Sequence, residues 1–171
     1  QELLFNARFA CPVCNHAIGE LEPRLFSFNS PQGACPSCDG LGVQEFFDPQ
    51  RVVAFPSLSL ASGAIKGWDR RNAYYHGLIE SLAKHYGFDV DTPFEDLPTR
   101  IQDVVLHGSG EEVIKFSYSV GSGAQAGTKR SSRHPFEGVL SNMARRHRET
   151  DSALVREELA RYRSTQPCSA C

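Results

Sequence analysis

The chain has 171 residues, a formal net charge of −2, 40% hydrophobic residues and 22% charged ones. That is enough for one domain, or one domain with a small metal module, and enough apolar mass to fill a core. No apolar run approaches the roughly 20 residues of a membrane span, and a slightly acidic chain is not one coated in positive charge.

In chain order, residues 1–45 read as metal-module territory. All six cysteines fall into three CxxC pairs: Cys11 and Cys14, Cys35 and Cys38, Cys168 and Cys171. Two thiols separated by two residues can bend around one ion, so each pair is half of a tetrahedral four-cysteine site. Thiolates are soft ligands, and a closed sulfur shell leaves no open position for chemistry, so the expectation is structural zinc. Disulfides of a secreted domain or a redox CxxC fit less well, because no signal peptide and no βαβ setting accompanies the cysteines. Gly40 and Gly42 follow the second pair and permit the positive φ that turns backbone N–H groups toward sulfur. One pairing by adjacency joins Cys11, Cys14, Cys35 and Cys38, since a gap of about 20 residues is usual in four-cysteine modules.

A separate body begins near Phe46. Asp69 is the expected N-cap of a helix from about Arg70 to Tyr86, ended by Gly87. Asp96 and Pro98 open a shorter helix carrying Ile101, Val104 and Val105, ended by Gly108. Glu112–Ser119 alternates, with Ile114, Phe116 and Tyr118 on one side, as a half-buried strand does. After the glycine-rich loop 121–127, Thr128–His134 reads as its returning partner. A helix after Pro135 turns Phe136, Val139, Leu140 and Met143 inward and Arg145, Arg146 and Arg148 outward. Thr150 or Ser152 caps a last helix bearing Leu154, Val155 and Leu159. The fold class is therefore α+β: a small antiparallel sheet with several helices, attached to a four-cysteine zinc module. The expected division is 1–45 metal module, 46–160 inserted body, and 161–171 return segment with the final CxxC.

Charge is unevenly placed. From Lys129 to Arg148 there are six Lys/Arg against the single acid Glu137, which points to a polyanion-facing side. A duplex backbone asks for spaced cations more than for base-reading side chains. The candidates for such contact are Lys66, Arg70, Arg71, Lys129, Arg130, Arg133, Arg145, Arg146 and Arg148, each weighed against a solvated charge or a local ion pair. Trp68 reads as a core residue or as a base-stacking one, and His134 as packed or phosphate-contacting. No nucleophile–base arrangement and no paired carboxylates stand out.

Longer motifs carry a family resemblance. Glu22-Pro23-Arg24-Leu25-Phe26-Ser27-Phe28-Asn29-Ser30-Pro31, running into Cys35-Pro36-Ser37-Cys38-Asp39-Gly40-Leu41-Gly42, resembles the A-subunit family of the bacterial excinuclease. Gly67-Trp68-Asp69-Arg70-Arg71-Asn72, Arg133–Leu140 and Pro167–Cys171 extend the likeness over essentially the whole chain. The resemblance implies a zinc module plus an inserted DNA-clamping domain from the first nucleotide-binding half of a damage-recognition ATPase. The opening without Met and the end on a cysteine agree with a piece of a longer polypeptide. There is no GxxxxGK[ST] phosphate loop and no ABC signature in the sequence, so no independent catalysis is expected. ATP would then belong to the parent protein and not to this piece.

Implied partners are double-stranded DNA, above all damaged DNA, and the excinuclease B subunit through neighbouring regions. A homodimeric parent in the bacterial cytoplasm, away from any membrane, completes the expectation. By analogy with the family's second half, Cys35 and Cys38 would join Cys168 and Cys171, leaving Cys11 and Cys14 to partners elsewhere; both pairings stand open at this point. From other classes, Cys35–Gly42 also has the CxxCxGxG form of the zinc centre in J-type co-chaperones, and a purely architectural domain is a third reading.

Overall fold

The computed structural model of the chain describes Cys14 and residues 22–120 and 128–171. Two bodies emerge: the described residues of Gln1–Glu45 with Thr165–Cys171, and Phe46–Ser164. The chain passes between them inside two strands, β1 (Val43–Phe47) and β4 (Arg163–Pro167), which pair as a ribbon. Hydrogen bonds from Cys168 N to Gly42 O and from Asp48 N to Tyr162 O, both 2.9 Å, fix that pairing as antiparallel.

The larger body holds α1 (Pro49–Val52), α2 (Ala73–Tyr86), α3 (Thr99–His107), β2 (Val113–Val120), β3 (Thr128–Pro135), α4 (Val139–Glu149) and α5 (Ala153–Ala160). β2 and β3 form an antiparallel hairpin in continuous register from Val113 opposite Pro135 to Val120 opposite Thr128. Alternation decides its faces: Ile114 and Phe116 are buried, while Val113, Lys115 and Ser117 point out. α2 lies on β2 so closely that a Cβ on Gly77 would come within 3.1 Å of the Tyr118 Cα. Ser117 N donates to Ser81 Oγ at 3.0 Å, tying the two elements together.

One apolar core fills this body, with Trp68, Phe116, Leu60, Ile65, Ile79, Leu82, Ile114, Val52, Val105 and Val139 almost wholly buried. Each such side chain contributes on the order of 1.5–3 kcal/mol on leaving water. Among the described residues no helix is long and apolar enough to cross a membrane.

Several local expectations are revised. Asp69 does not cap α2. The helix opens later, at Ala73, and the Asn72 side chain accepts from Tyr75 N. Asp69 is instead buried and held by Arg71. The α+β class holds, and among the described residues the strands form two antiparallel pairs, β1–β4 and β2–β3. Leu154 of α5 is exposed, and Leu159 alone of that helix is fully buried. Ser152 is the cap of α5, as its sequence position indicates. The glycine-rich loop lies outside the described residues, as do most of residues 1–21.

Candidate metal centre and nucleic-acid interface

In the smaller body, turns from Ser30 to Gly42 place the second CxxC pair, and the strand end at Pro167 delivers the third. The Sγ atoms of Cys35, Cys38, Cys168 and Cys171 all lie within 4.8 Å of one another. Cys35 and Cys168 approach to 3.9 Å and Cys38 and Cys171 to 3.4 Å. A tetrahedral Zn–S shell with bonds of about 2.3 Å has sulfur–sulfur edges of about 3.8 Å, so the cluster has the right dimensions for one ion.

Gly42, at φ 72°, turns its N–H onto Cys38 Sγ at 3.3 Å, as the glycine after the motif leads one to expect. Cys35 is drawn down to about 7, first by a backbone hydrogen bond at Ser37. Cys171 is pushed up to about 12, first by its contact with Cys38 and then by Cys35 and Cys168. The physics is simple: backbone amides can support one thiolate, but each further one meets negative charge already present. A cation is what lets all four ionise together. Cys14 is exposed and is not among the four; Cys11 lies outside the described residues.

In the larger body, the candidate cations separate into two groups. Lys66 pairs with Glu158 at 3.2 Å, Arg70 with Asp91 at 2.8 Å and Arg148 with Glu149 at 3.7 Å. Arg71 is bound to Asp69. Arg145 is gripped by Glu137 at 2.9 Å and by Glu149 at 3.4 Å. Glu137, Arg145's main partner, holds that guanidinium further above its ordinary range, and Arg145 in turn lowers Glu137. Arg146 sits 5.6 Å from the Tyr75 ring centroid. Of the remaining three, Arg130 and Arg133 are exposed on β3 with no carboxylate in ion-pairing range among the described residues. The backbone of Lys129 is on the same strand; its side chain lies outside what is described.

Arg133 stands directly across the hairpin from Lys115, on the outward face. Lys115 was not singled out in the sequence, although its alternation with Ile114 and Phe116 placed it outward. A groove of about 490 Å³ follows, lined by Glu80, Ser81, Lys84 and His85 of α2 and by Lys115 and Ser117 of β2. His134 stacks on Phe116 with ring centroids 4.7 Å apart and is otherwise exposed. Trp68 is 1% exposed and belongs to the core.

A family model for the UvrA DNA-binding domain matches residues 48–161. The chain belongs to the UvrA DNA-binding domain family. The match covers nearly all of the larger body, including the hairpin and its outward cations. Curated UvrA relatives extend the likeness. The UvrABC system protein A of Xanthomonas axonopodis pv. citri is 60% identical over 168 residues, 98% of this chain and 17% of that protein. Those of Haemophilus influenzae and Escherichia coli are each 58% identical over 171 residues, 100% of this chain and 18% of those proteins. The chain thus spans less than a fifth of the length of the UvrA relatives it matches. The crystal structure of UvrA2 from Deinococcus radiodurans superposes with a TM-score of 0.62 at 23% identity, over 85% of this chain and 18% of that one. At that identity the likeness speaks for the fold.

Proposed function

We propose that this chain is a DNA-contacting part of a nucleotide excision repair damage sensor. In this reading the hairpin β2–β3 meets the duplex backbone, and Cys35, Cys38, Cys168 and Cys171 hold one structural zinc. The observation that carries the DNA contact is the outward pair Lys115 and Arg133, in a body that matches a DNA-binding family; Arg130, exposed on β3, is on the hairpin's other face. Unpaired cations can release counterions from phosphate without first giving up a carboxylate. For Lys66, Arg70, Arg71, Arg145 and Arg148, that exchange would break an existing ion pair. Phosphate contact without a base code suits a sensor that must accept many lesions, because it reads shape and deformability.

For the metal, the sulfur-only donor set and the edge lengths favour zinc. When bound it supplies charge neutralisation and a cross-link, while the chain's own amide at Gly42 orients a ligand sulfur. The wider expectations join the same proposal: ATP hydrolysis, contact with the excinuclease B subunit and dimerisation belong to the longer parent, working in the cytoplasm.

The test of the DNA contact compares variants at one low ionic strength. Lys115→Gln with Arg133→Gln should weaken binding to a paired duplex several-fold, and Arg145→Gln should change it little. The reverse order would move the interface to α4 and overturn the assignment.

A further inference from the structure

A file of aromatic rings runs from the core of the larger body to its surface. Phe136 meets Trp68 at a centroid distance of 6.1 Å, Trp68 meets Tyr75 at 4.3 Å, Tyr75 meets Tyr74 at 5.1 Å and Tyr74 meets Tyr118 at 4.9 Å. The inner rings are fixed by burial, while Tyr74 is 43% exposed and Tyr118 is half-buried. Core packing explains Phe136 and Trp68. It does not explain a large ring left in water at the outer end of the file, held edge-on by two neighbours.

Arginines accompany these outer rings. Arg130 is the cross-strand neighbour of Tyr118, and Arg146 lies over Tyr75. An exposed aromatic ring with an arginine on the neighbouring strand offers a stacking surface for unpaired bases, sequence-tolerant because every base has a π-face.

We propose that Tyr74 and Tyr118, flanked by Arg130, form a platform on which an unpaired DNA base stacks. This rests on the DNA-contact reading and adds to it: Lys115 and Arg133 on one face of the hairpin touch phosphates of any duplex, and the tyrosines, with Tyr118 and Arg130 on its other face, respond to bases that have left the helix. A damaged or distorted site exposes such bases at lower cost than an intact duplex does.

The test uses the whole chain with a fully paired duplex and the same duplex carrying a central run of unpaired thymines. The expected preference for the unpaired run is about tenfold, the size of one base stack. Tyr74→Ala should erase the preference and leave paired-duplex binding unchanged, while Tyr74→Phe should retain it. Trp68, the only tryptophan in the chain, gives an emission signal that checks that each variant is folded. Salt-sensitive binding to both DNAs with no preference, or a preference that survives Tyr74→Ala, overturns the platform and leaves the phosphate contact standing. No binding to either DNA overturns both.

Discussion

Asp69 is a buried carboxylate in the turn that leads into α2, its side chain only 4% exposed and bound to both the backbone N–H and the guanidinium of Arg71. The Arg71 side-chain hydrogen bond, above all, holds its carboxyl below the ordinary range. A depressed folded pKa contributes stability that is present above the unfolded value of about 3.9 and is lost as pH falls through the lower folded value. Asp69→Asn should therefore destabilise the chain at neutral pH by about 1–2 kcal/mol in urea titration. The deficit should shrink as pH falls from neutral to below the unfolded value of about 3.9 and on through the lower folded one; a deficit that stays equal to the neutral one would contradict the linkage. From sequence alone Asp69 looked like a helix cap. Asp and Asn are both good caps three residues apart here, and only the burial of Asp69 against Arg71 decides between them.

At the scale of elements, α4 explains much of the basic run that drew attention in the sequence. Arg146, His147 and Arg148 occupy its last turn, where cations oppose the helix dipole, and Arg145 is taken up by Glu137 and Glu149. A charge count cannot distinguish such local uses from a binding face. The hairpin was more legible, because period-two alternation around Phe116 fixes which cations face out. The ribbon of β1 and β4 was not legible: its strands are short, and the Asp48–Ser164 hydrogen bond beside them joins residues 116 positions apart. Before α4, Gly138 has φ 83°, and a Cβ there would lie 2.5 Å from the His107 carbonyl carbon. Backbone cannot yield as a side-chain tip does. Gly138→Ala should cost about 3 kcal/mol or more in a urea unfolding titration, and a loss under about 1 kcal/mol would show that α3 and α4 can separate freely.

Across the whole molecule, the four cysteines join residues 133 positions apart. Their spacing announced a metal module and by itself pointed to pairing between sequence neighbours, whereas pairing across the body came only from the family resemblance. The fold brings Cys168 and Cys171 to Cys35 and Cys38. A metal there is bound only by the folded chain, so the roughly 10–16 kcal/mol of apparent binding energy typical of structural zinc counts as folding energy. Chelation should lower the unfolding midpoint, and Cys168→Ser with Cys171→Ser should remove one zinc equivalent by elemental analysis. Full zinc content in that double variant would break the assignment of these four ligands.

Contact between the hairpin and the duplex backbone is tested by binding of the chain to a paired duplex across a salt series. Affinity should fall linearly with salt on logarithmic axes, and replacing Lys115 and Arg133 with glutamine should flatten the slope by about 2 units, near one per lost phosphate contact. An unchanged slope in that double variant, or binding indifferent to salt, would contradict that contact.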